Sequence, residues 1–230
     1  KASSIYQIKD YYKKITSQKC CSVFHCNESL GEKNSVKKAE QELKKRYESL
    51  ENKYDKFLAE NYDYKANTYE TNKINLLSNP TSLYTKQPTV YYGLMYLAKN
   101  AKKEVKIHTP YIICNDYMYN ELKNIKVPTT IMTNSAENNG NIFGAVDYLN
   151  HKKDIINTGV TIKEYEGGIS YHGKSMTIDD DIAIVGSFNM DMRSAYIDTE
   201  LMLVINSKYI NKQLKASMEE YEKKAATVKK

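Results

Sequence analysis

The sequence has no tryptophan, only four cysteines and four prolines, and almost no arginine. It also has no apolar run near the ~18 residues that a bilayer-spanning helix needs and no secretory signal pattern. A membrane-spanning helix and a signal peptide are therefore excluded within these residues. The 41% hydrophobic and 27% charged content of the 230 residues is ordinary for a soluble domain. A chain of this length buries roughly 70–75% of its unfolded surface, so its fold requires no disulfide or metal staple.

The few cysteines do not form a recognisable metal site. Cys20, Cys21 and Cys26, with His25 between them, do not match the paired spacing of a tetrahedral zinc site, and Cys114 is distant in sequence. We therefore expect neither a metal nor a cofactor. A local disulfide and free thiols are the two alternatives for these residues.

The charge of the chain gives a weak indication of its partners. The formal net charge of +6 favours anionic partners, such as phospholipid head groups or nucleic acid. Lysine and glutamate are interspersed, however, so the sequence shows no single basic stripe that would mark a binding surface.

The first third of the chain is predicted to be helical and then irregular. Apolar residues recur at steps of three and four from Val36 to Phe57, which predicts an amphipathic helix over residues 35–61. The polar face of this helix carries both signs of charge, which favours packing within its own domain over contact with a membrane or a partner helix. Residues 62–88 are polar and contain two Xaa-Pro breakers, so they are predicted to be irregular.

A domain boundary is placed near residue 85, which separates a helical appendage, residues 1–84, from a second domain, residues 85–230. In the second domain, predicted strands and helices alternate, which indicates an α/β fold with a mixed sheet flanked by helices. The predicted helices cover residues 89–100, 116–124, 142–157 and 208–228, and the predicted strands cover residues 105–111, 129–133, 160–165, 169–178, 182–185 and 201–205.

Two of these strands carry the most informative residues of the chain, in the pattern H-x-K-x4-D-x6-G-S-x-N. His172 and Lys174 lie two residues apart, so within a strand over residues 169–178 their side chains share one face. Asp179 opens a run of three aspartates that predicts a turn. A hairpin then returns the second pair, Ser187 and Asn189, to the side of the first, which predicts one common site.

These residue types suit attack on a phosphodiester. An imidazole attacks phosphorus when one ring nitrogen is free and an acceptor holds the other as N–H. Lys174 supplies a fixed positive charge, and Ser187 and Asn189 supply neutral donors to the same phosphate oxygens. Losing one such donor costs about 3–4 kcal/mol of transition-state stabilisation. Because Lys174 takes the role of a cation, the chemistry requires no metal.

This pattern resembles the HKD motif of the phospholipase D superfamily. The continuation GSFNMDMRSAYIDTE, residues 186–200, is similar to the bacterial cardiolipin synthase branch of that family, with Asp198 where the family has asparagine. The segments AKKEVKIHTPY, residues 101–111, and MTNS, residues 132–135, resemble earlier strands of the family's catalytic half. The resemblance extends from about residue 90 to about residue 207, and it implies a phospholipase D-like half-domain.

The resemblance implies roles for individual residues. His172 forms a phosphohistidine or acts as the general acid, and Lys174, Ser187 and Asn189 hold the phosphate. Glu200 stands where the family has a carboxylate that orients the histidine. Asp179 completes the catalytic set, His172, Lys174, Asp179 and Glu200, and we expect it to hold the turn. Asp191 and Arg193 form either an ion pair behind the site or a surface pair.

The family uses two such motifs, and this chain has one. His151 and Lys153 match H-x-K but lack the aspartate, and they lie in a predicted helix, where residues i and i+2 do not share a face. We expect the chain to be the C-terminal half of a two-motif enzyme, with residues 1–84 as the connection between the halves. The alternative is a single-motif protein that pairs with itself.

The predicted function is phosphodiester transfer or hydrolysis on phospholipids at a membrane surface, in a bacterial, membrane-associated phosphatidyltransferase. The site is completed by a second HKD half, from the same full-length chain or a second copy. Nucleic acid is less favoured as a partner. Two alternatives are a homodimeric phosphodiesterase or nuclease, and a membrane-associated scaffold without activity. The retained set of His172, Lys174, Ser187, Asn189 and Glu200 argues against the scaffold.

Overall fold

The computed structural model describes residues 34–59, 66, 68–81 and 84–228, and the chain divides into two units, Lys1–Thr68 and Tyr69–Lys230. The first unit contains the helix α1 (Asn34–Ala59), which agrees with the helix predicted for residues 35–61. Its surface is highly charged, with an Arg46–Glu42 ion pair one turn apart. None of the described helices is both long enough and apolar enough to cross a membrane.

The second unit is built on a mixed sheet of eight strands in the order β1-β9-β7-β6-β2-β4-β5-β10. Strands β2, β4 and β5 run parallel to one another, and every other neighbouring pair in this sheet is antiparallel. Strands β3 and β8 form a separate parallel pair. The strands are β1 (Lys73–Ser78), β2 (Val105–His108), β3 (Ile112–Ile113), β4 (Thr129–Asn134), β5 (Thr161–Tyr165), β6 (Ser175–Ile178), β7 (Ile182–Gly186), β8 (Met190–Asp191), β9 (Leu201–Asn206) and β10 (Ala225–Thr227).

Helices flank this sheet, and side chains of the preceding residues cap several of them. Asn115, Asn141 and Ser207 each accept a hydrogen bond from a backbone N–H in the first turn, which satisfies a donor that the helix leaves unpaired. The helices of this unit are α2 (Thr89–Lys99), α3 (Asp116–Lys123), α4 (Ile142–Asn157), α5 (Met192–Tyr196) and α6 (Lys208–Glu222).

The central strands are buried on both faces. All four residues of β6 are buried, although alternate residues of a strand point to opposite faces, so the sheet is covered on both sides. Asn211 of α6 donates to the carbonyls of Ile178 and Ile182, which ties this helix to the β6–β7 turn. The alternation of strands and helices and the mixed sheet confirm the predicted α/β fold.

The N-terminal edge of the sheet differs from the prediction. Residues 62–88 were expected to be irregular, but Lys73–Ser78 forms β1 and pairs with β9. The compact unit accordingly begins at Tyr69, before the boundary expected near residue 85. As an edge strand, β1 is largely exposed. Its polar and apolar residues alternate over Lys73–Leu76, but Ile74 and Leu76 are the exposed ones, while Leu77 packs against the core, so the pattern does not mark a core-facing side.

Three other elements differ in extent. The strand expected over residues 169–178 begins only at Ser175, so His172 and Lys174 lie in the irregular segment that precedes it. The strand expected over residues 105–111 ends at His108, before Pro110, and resumes as β3. The final helix ends at Glu222, and the chain returns as β10 to pair with β5.

Candidate active site

The β6–β7 hairpin brings the two halves of the motif to one end of the sheet. Ser175 at the start of β6 pairs with Val185 near the end of β7, so the segment entering β6 lies beside the segment leaving β7. The N–H of Gly186 donates to the carbonyl of Lys174 over 3.2 Å, which extends this pairing toward the motif. A Cβ atom at Gly186 would lie 2.1 Å from the carbonyl oxygen of Leu201, so only glycine fits there.

His172 and Lys174 are in direct contact. The ammonium nitrogen of Lys174 lies 3.1 Å from Nδ1 and 3.4 Å from Nε2 of His172, and it donates to the His172 carbonyl over 2.8 Å. Partial desolvation of an otherwise exposed ring, and secondly the Lys174 charge, lower the pKa of His172. Burial also lowers the pKa of Lys174, while Glu200 and Asp191 oppose that change. A neutral imidazole beside a cation is therefore the favoured state near neutral pH.

Glu200 is buried and holds the two serines of the second segment. Its Oε1 accepts from the hydroxyl of Ser194 over 2.8 Å, and its Oε2 accepts from the hydroxyl of Ser187. The Ser187 oxygen also accepts from the N–H of Leu201 over 3.0 Å. In this arrangement both Glu200 oxygens bind serines, so an orienting bond from Glu200 to the His172 ring stays a prediction.

Asn189 is the other member of the second segment. Its side-chain nitrogen and its backbone N–H each lie 3.3 Å from the Ser194 oxygen and donate to it. Its amide oxygen is buried and has no hydrogen-bond partner among the described residues. The amide of Asn189 is therefore only half satisfied by the protein, a condition that a bound polar group could relieve.

Asp191 and Arg193 do not pair with each other. The carboxylate of Asp191 caps α5 by accepting from the N–H of Ser194 over 2.6 Å. Arg193 instead pairs with Asp198, its Nε lying 3.1 Å from Oδ2, and both side chains lie toward the surface. Asp191 is thus the residue that orders the loop behind the site, and the expected ion pair between these two residues is wrong.

Asp179 lies at the opposite end of β6 from His172. Its φ of 52° places it in the left-handed region that aspartate tolerates better than most residues. Its carboxylate accepts from the backbone N–H groups of Lys102, Lys103 and Glu104. Burial opposes its ionisation, but these three bonds outweigh burial and lower the pKa of Asp179. These contacts agree with the turn-holding role expected of it.

Two residues without an assigned role in the sequence, Thr109 and Asn134, lie next to the site. The hydroxyl of Thr109 accepts from the N–H of Met190 over 3.1 Å and donates to the carbonyl of Tyr111, which connects the segment after β2 to β8. The side chain of Asn134, at the end of β4, binds both the backbone N–H and the backbone carbonyl of Tyr171. The sequence feature that could have identified them is their position at the carboxyl ends of predicted parallel strands, where α/β folds form their sites.

The remaining histidines and cysteines form no metal centre that the structure describes. His151 lies on α4 and bonds the carbonyl of Asp147 one turn earlier, which confirms that it belongs to a polar helix face. Cys114 is buried, with a free thiol. No cluster of metal-binding side chains occurs among the described residues, and Cys20, Cys21, His25 and Cys26 lie outside them.

Sequence comparison places this site in a family. A family model described as "Cardiolipin synthase, PLD-like domain" matches residues 94–221. Cardiolipin synthase 1 of Staphylococcus epidermidis is 31% identical over 133 residues, which cover 56% of this chain and 26% of that protein. An uncharacterized protein of Helicobacter pylori is 26% identical over 192 residues, which cover 75% of this chain and 38% of the relative. The chain therefore spans about a quarter of the length of the curated cardiolipin synthases it matches.

Structural comparison gives the same fold. Nuc from Salmonella typhimurium, a phospholipase D family member, superposes with a TM-score of 0.55 at 16% identity, covering 69% of this chain and 99% of Nuc. A phosphatidylserine synthase from Haemophilus influenzae gives 0.54 at 16% identity, covering 67% of this chain and 40% of that chain. NucT from Helicobacter pylori gives 0.50 at 17% identity, covering 68% of this chain and 99% of NucT. At these identities the likeness establishes the fold alone.

Proposed function

Since the family model covers more than half of it, the chain belongs to the cardiolipin synthase-type, phospholipase D-like domain family, and we propose that it supplies one half of a phospholipid phosphodiester-transfer site. The observation that carries this proposal is the contact between His172 and Lys174 at the end of the hairpin from which Ser187 and Asn189 also emerge. A nucleophile and a fixed cation there suit a phosphodiester. Asn189 has a second amide hydrogen to donate to phosphate, and Ser187 would exchange its bond to Glu200 for one to a phosphate oxygen.

The proposed chemistry has two displacements at phosphorus. A ring nitrogen of His172 attacks phosphorus, the P–N bond forms, and the bond to the leaving alkoxide breaks as that oxygen takes a proton from an acid of the other half. An alcohol, or water, then attacks phosphorus as it loses its proton to the same group of the other half, which is now deprotonated, and the P–N bond breaks. In the reverse assignment His172 is the acid and its counterpart forms the phosphohistidine. Lys174 offsets the charge on the phosphate oxygens in both steps.

A second HKD half is part of the proposal. The ring of His172 is exposed at the surface of this unit, so it has room for a substrate and an opposing group. Within this chain the H-x-K…D pattern occurs once. The second half comes from the same full-length polypeptide, or from a second copy of this chain.

Phospholipid is favoured over nucleic acid because the rim of the site is apolar. Ile142 and Phe143 are exposed at the start of α4. The loop just before them bonds the segment that leads to His172, through Gly140 N–H to Ser170 Oγ at 3.1 Å. Ile169 of that segment is exposed as well. Exposed apolar side chains suit acyl chains or a membrane surface, whereas a nucleic-acid site is lined by cations.

A reconstitution experiment tests the proposal. This chain would be assayed on phosphatidylglycerol vesicles and on DNA, alone and after addition of a separate HKD half, and its mass in solution would be measured. We expect little turnover by the monomer, turnover of phosphatidylglycerol with the second half, and loss of that turnover in His172→Ala. DNA cleavage by a dimer of this chain, with a steep salt dependence, would instead support the nuclease. Full activity in His172→Ala would refute the assignment of the site.

A further inference from the structure

The segment that carries His172 precedes β6 and is joined to the β6–β7 hairpin at its end, through the Lys174 carbonyl. The position of His172 itself therefore depends largely on side-chain contacts. Residues 166–174 are irregular between β5 and β6, and His172 itself is exposed. The residue directly before it, Tyr171, is held both by its backbone and by its phenol ring. A segment fixed in this way moves when those contacts are lost, even though the hairpin that follows it stays intact.

The backbone of Tyr171 is clamped by Asn134. The Asn134 amide oxygen accepts from the Tyr171 N–H over 2.8 Å, and its amide nitrogen donates to the Tyr171 carbonyl over 2.9 Å and to the Pro110 carbonyl over 2.8 Å. Asn138 donates to the same amide oxygen over 3.1 Å. Asn134 is almost completely buried, so its amide geometry is fixed by four hydrogen bonds in a dry environment.

The phenol of Tyr171 reaches a buried histidine. His108, at the end of β2, is 1% exposed, and its Nδ1 lies 3.3 Å from the Tyr171 hydroxyl. Its Nε2 lies 3.2 Å from Oε1 of Glu222 at the end of α6. Lys163 binds the other Glu222 oxygen at 2.6 Å, and Lys106 lies 3.9 Å from Oε1. The rings of Tyr165 and Tyr221 pack edge-on against Tyr171.

The protonation states determine which group donates in each hydrogen bond between Tyr171, His108 and Glu222. The hydrogen bond with His108 lowers the pKa of Glu222 to about 2 against the effect of burial, so Glu222 is ionised and accepts from Nε2–H. Burial lowers the pKa of His108 and outweighs the effect of Glu222, so the ring is neutral at pH 7. Nδ1 is then the acceptor, and the Tyr171 hydroxyl donates to it.

We infer that His108 is a positioning residue, which acts through Tyr171 to hold the His172–Lys174 segment in its phosphate-binding conformation. None of these side chains needs to touch the substrate. The inference rests on the proposed function, because it assigns to this segment the binding of a phosphate. If losing the anchor leaves the binding conformation populated about a tenth of the time, the apparent affinity for phosphate falls about tenfold.

Inorganic phosphate binding to this chain tests the inference. The His172 ring resonances would be followed by NMR during a phosphate titration, with thermal unfolding as a check of folding. We expect the phosphate Kd to rise about tenfold in Tyr171→Phe and in His108→Gln, which keeps a donor toward Glu222 but loses the acceptor for Tyr171. His108→Asn restores an acceptor at the Nδ1 position, so its Kd is expected to stay within about twofold of the wild-type value.

Two further variants separate the possible outcomes. Tyr221→Phe likewise removes a phenol hydroxyl, from a ring that packs against Tyr171, and its phosphate Kd is expected to match the wild-type value. Lys174→Met tests the phosphate site itself. If Lys174→Met still binds phosphate at His172, the proposed function is wrong. If only Lys174→Met loses binding, or if Tyr221→Phe and His108→Asn weaken binding as much as Tyr171→Phe, the positioning role of His108 is wrong.

Discussion

The ammonium nitrogen of Lys174 contacts both the ring and the backbone carbonyl of His172, at 3.1 Å from Nδ1 and 2.8 Å from the carbonyl oxygen. The two residues are separated by one glycine and lie outside regular secondary structure. A cation in this place disfavours the protonated ring and leaves a neutral nucleophile beside a positive charge. The position of Lys174 therefore affects the histidine electrostatically as well as by binding phosphate.

The pKa of His172 is predicted to rise when the charge at residue 174 is removed. Partial desolvation of the ring is the larger cause of the lowered pKa, and the Lys174 charge is the second, so Lys174→Met removes only part of the effect. A titration of the His172 ring by NMR would measure it. The control is Lys174→Arg, which keeps the charge and is expected to keep the pKa low. An unchanged pKa in Lys174→Met would contradict the electrostatic coupling.

Much of the fold was predictable because its buried elements have clear patterns. The helix α4 follows the predicted bounds, residues 142–157, since its polar and apolar residues repeat with the helical period and Asn141 provides a cap. The strands β4 and β7 were found within one residue of their ends, because short apolar runs bounded by turn residues indicate buried strands. The pairing of β6 with β7 followed from the turn at Asp179.

The errors occur where structure depends on contacts between distant residues. The edge strand β1 forms because it pairs with the backbone N–H and carbonyl groups along one edge of β9. The local sequence of Lys73–Ser78 does not reveal that partner. The segment 166–174 has strand-like residues but is held by Asn134 and His108, which lie more than thirty residues away. Arg193 pairs with Asp198 because α5 turns the chain back, a bend that spacing alone does not show. Long-range partners of this kind are not encoded in local periodicity.

Replacing Glu200 by glutamine is predicted to destabilise the domain by about 1–3 kcal/mol. The two serine hydroxyls that donate to Glu200 already accept from other groups, Ser187 from the Leu201 N–H and Ser194 from Asn189. The serines therefore have little capacity to accept from an amide NH2, which would be left without a partner in a buried site. Denaturant unfolding would measure the loss.

The matched control for Glu200 is Asp198→Asn, which removes a carboxylate from the same loop. Asp198 pairs with Arg193 near the surface, so its replacement is expected to leave the free energy of unfolding almost unchanged. Equal destabilisation by the two variants would show that the loop responds to any loss of charge, and would refute a specific role for the buried carboxylate.

Asp179 is predicted to stabilise the fold in a pH-dependent way. Its pKa is lowered in the folded state from the ordinary value of 3.8, so its contribution is present above about pH 4 and is lost as the pH falls through the lower, folded-state pKa. Asp179→Ala is expected to cost about 1–3 kcal/mol at pH 7, because three backbone N–H groups lose their acceptor. The difference from wild type should shrink below pH 4.

Two controls accompany this stability measurement. Asp179→Asn keeps one acceptor oxygen and tolerates the φ of 52°, so we expect an intermediate loss that does not vary with pH through this group. Asp180→Asn changes the next residue, whose carboxylate contacts the side chains of Lys103 and Lys215, and is expected to have little effect on unfolding. If Asp180→Asn is as destabilising as Asp179→Ala, the backbone contacts of Asp179 are not the cause.

Replacing Phe143 by serine is predicted to weaken binding to phospholipid vesicles without affecting folding. The ring is 87% exposed at the first turn of α4, so its loss removes little buried area from the core, but it removes a large apolar group from the rim of the site. Transfer of a phenyl group from water to an apolar phase is worth about 1.5–3 kcal/mol, which corresponds to a loss of vesicle affinity of about tenfold or more.

Sedimentation with phosphatidylglycerol vesicles would measure this affinity, and inorganic phosphate binding would be measured in parallel. Leu76→Ser is the control, because Leu76 is also exposed, at 61%, but lies on the edge strand β1. We expect Phe143→Ser to lose vesicle binding while keeping its phosphate Kd, and Leu76→Ser to keep both. If the two variants bind vesicles equally well, the apolar rim does not contact lipid, and the preference for phospholipid over nucleic acid loses its structural support.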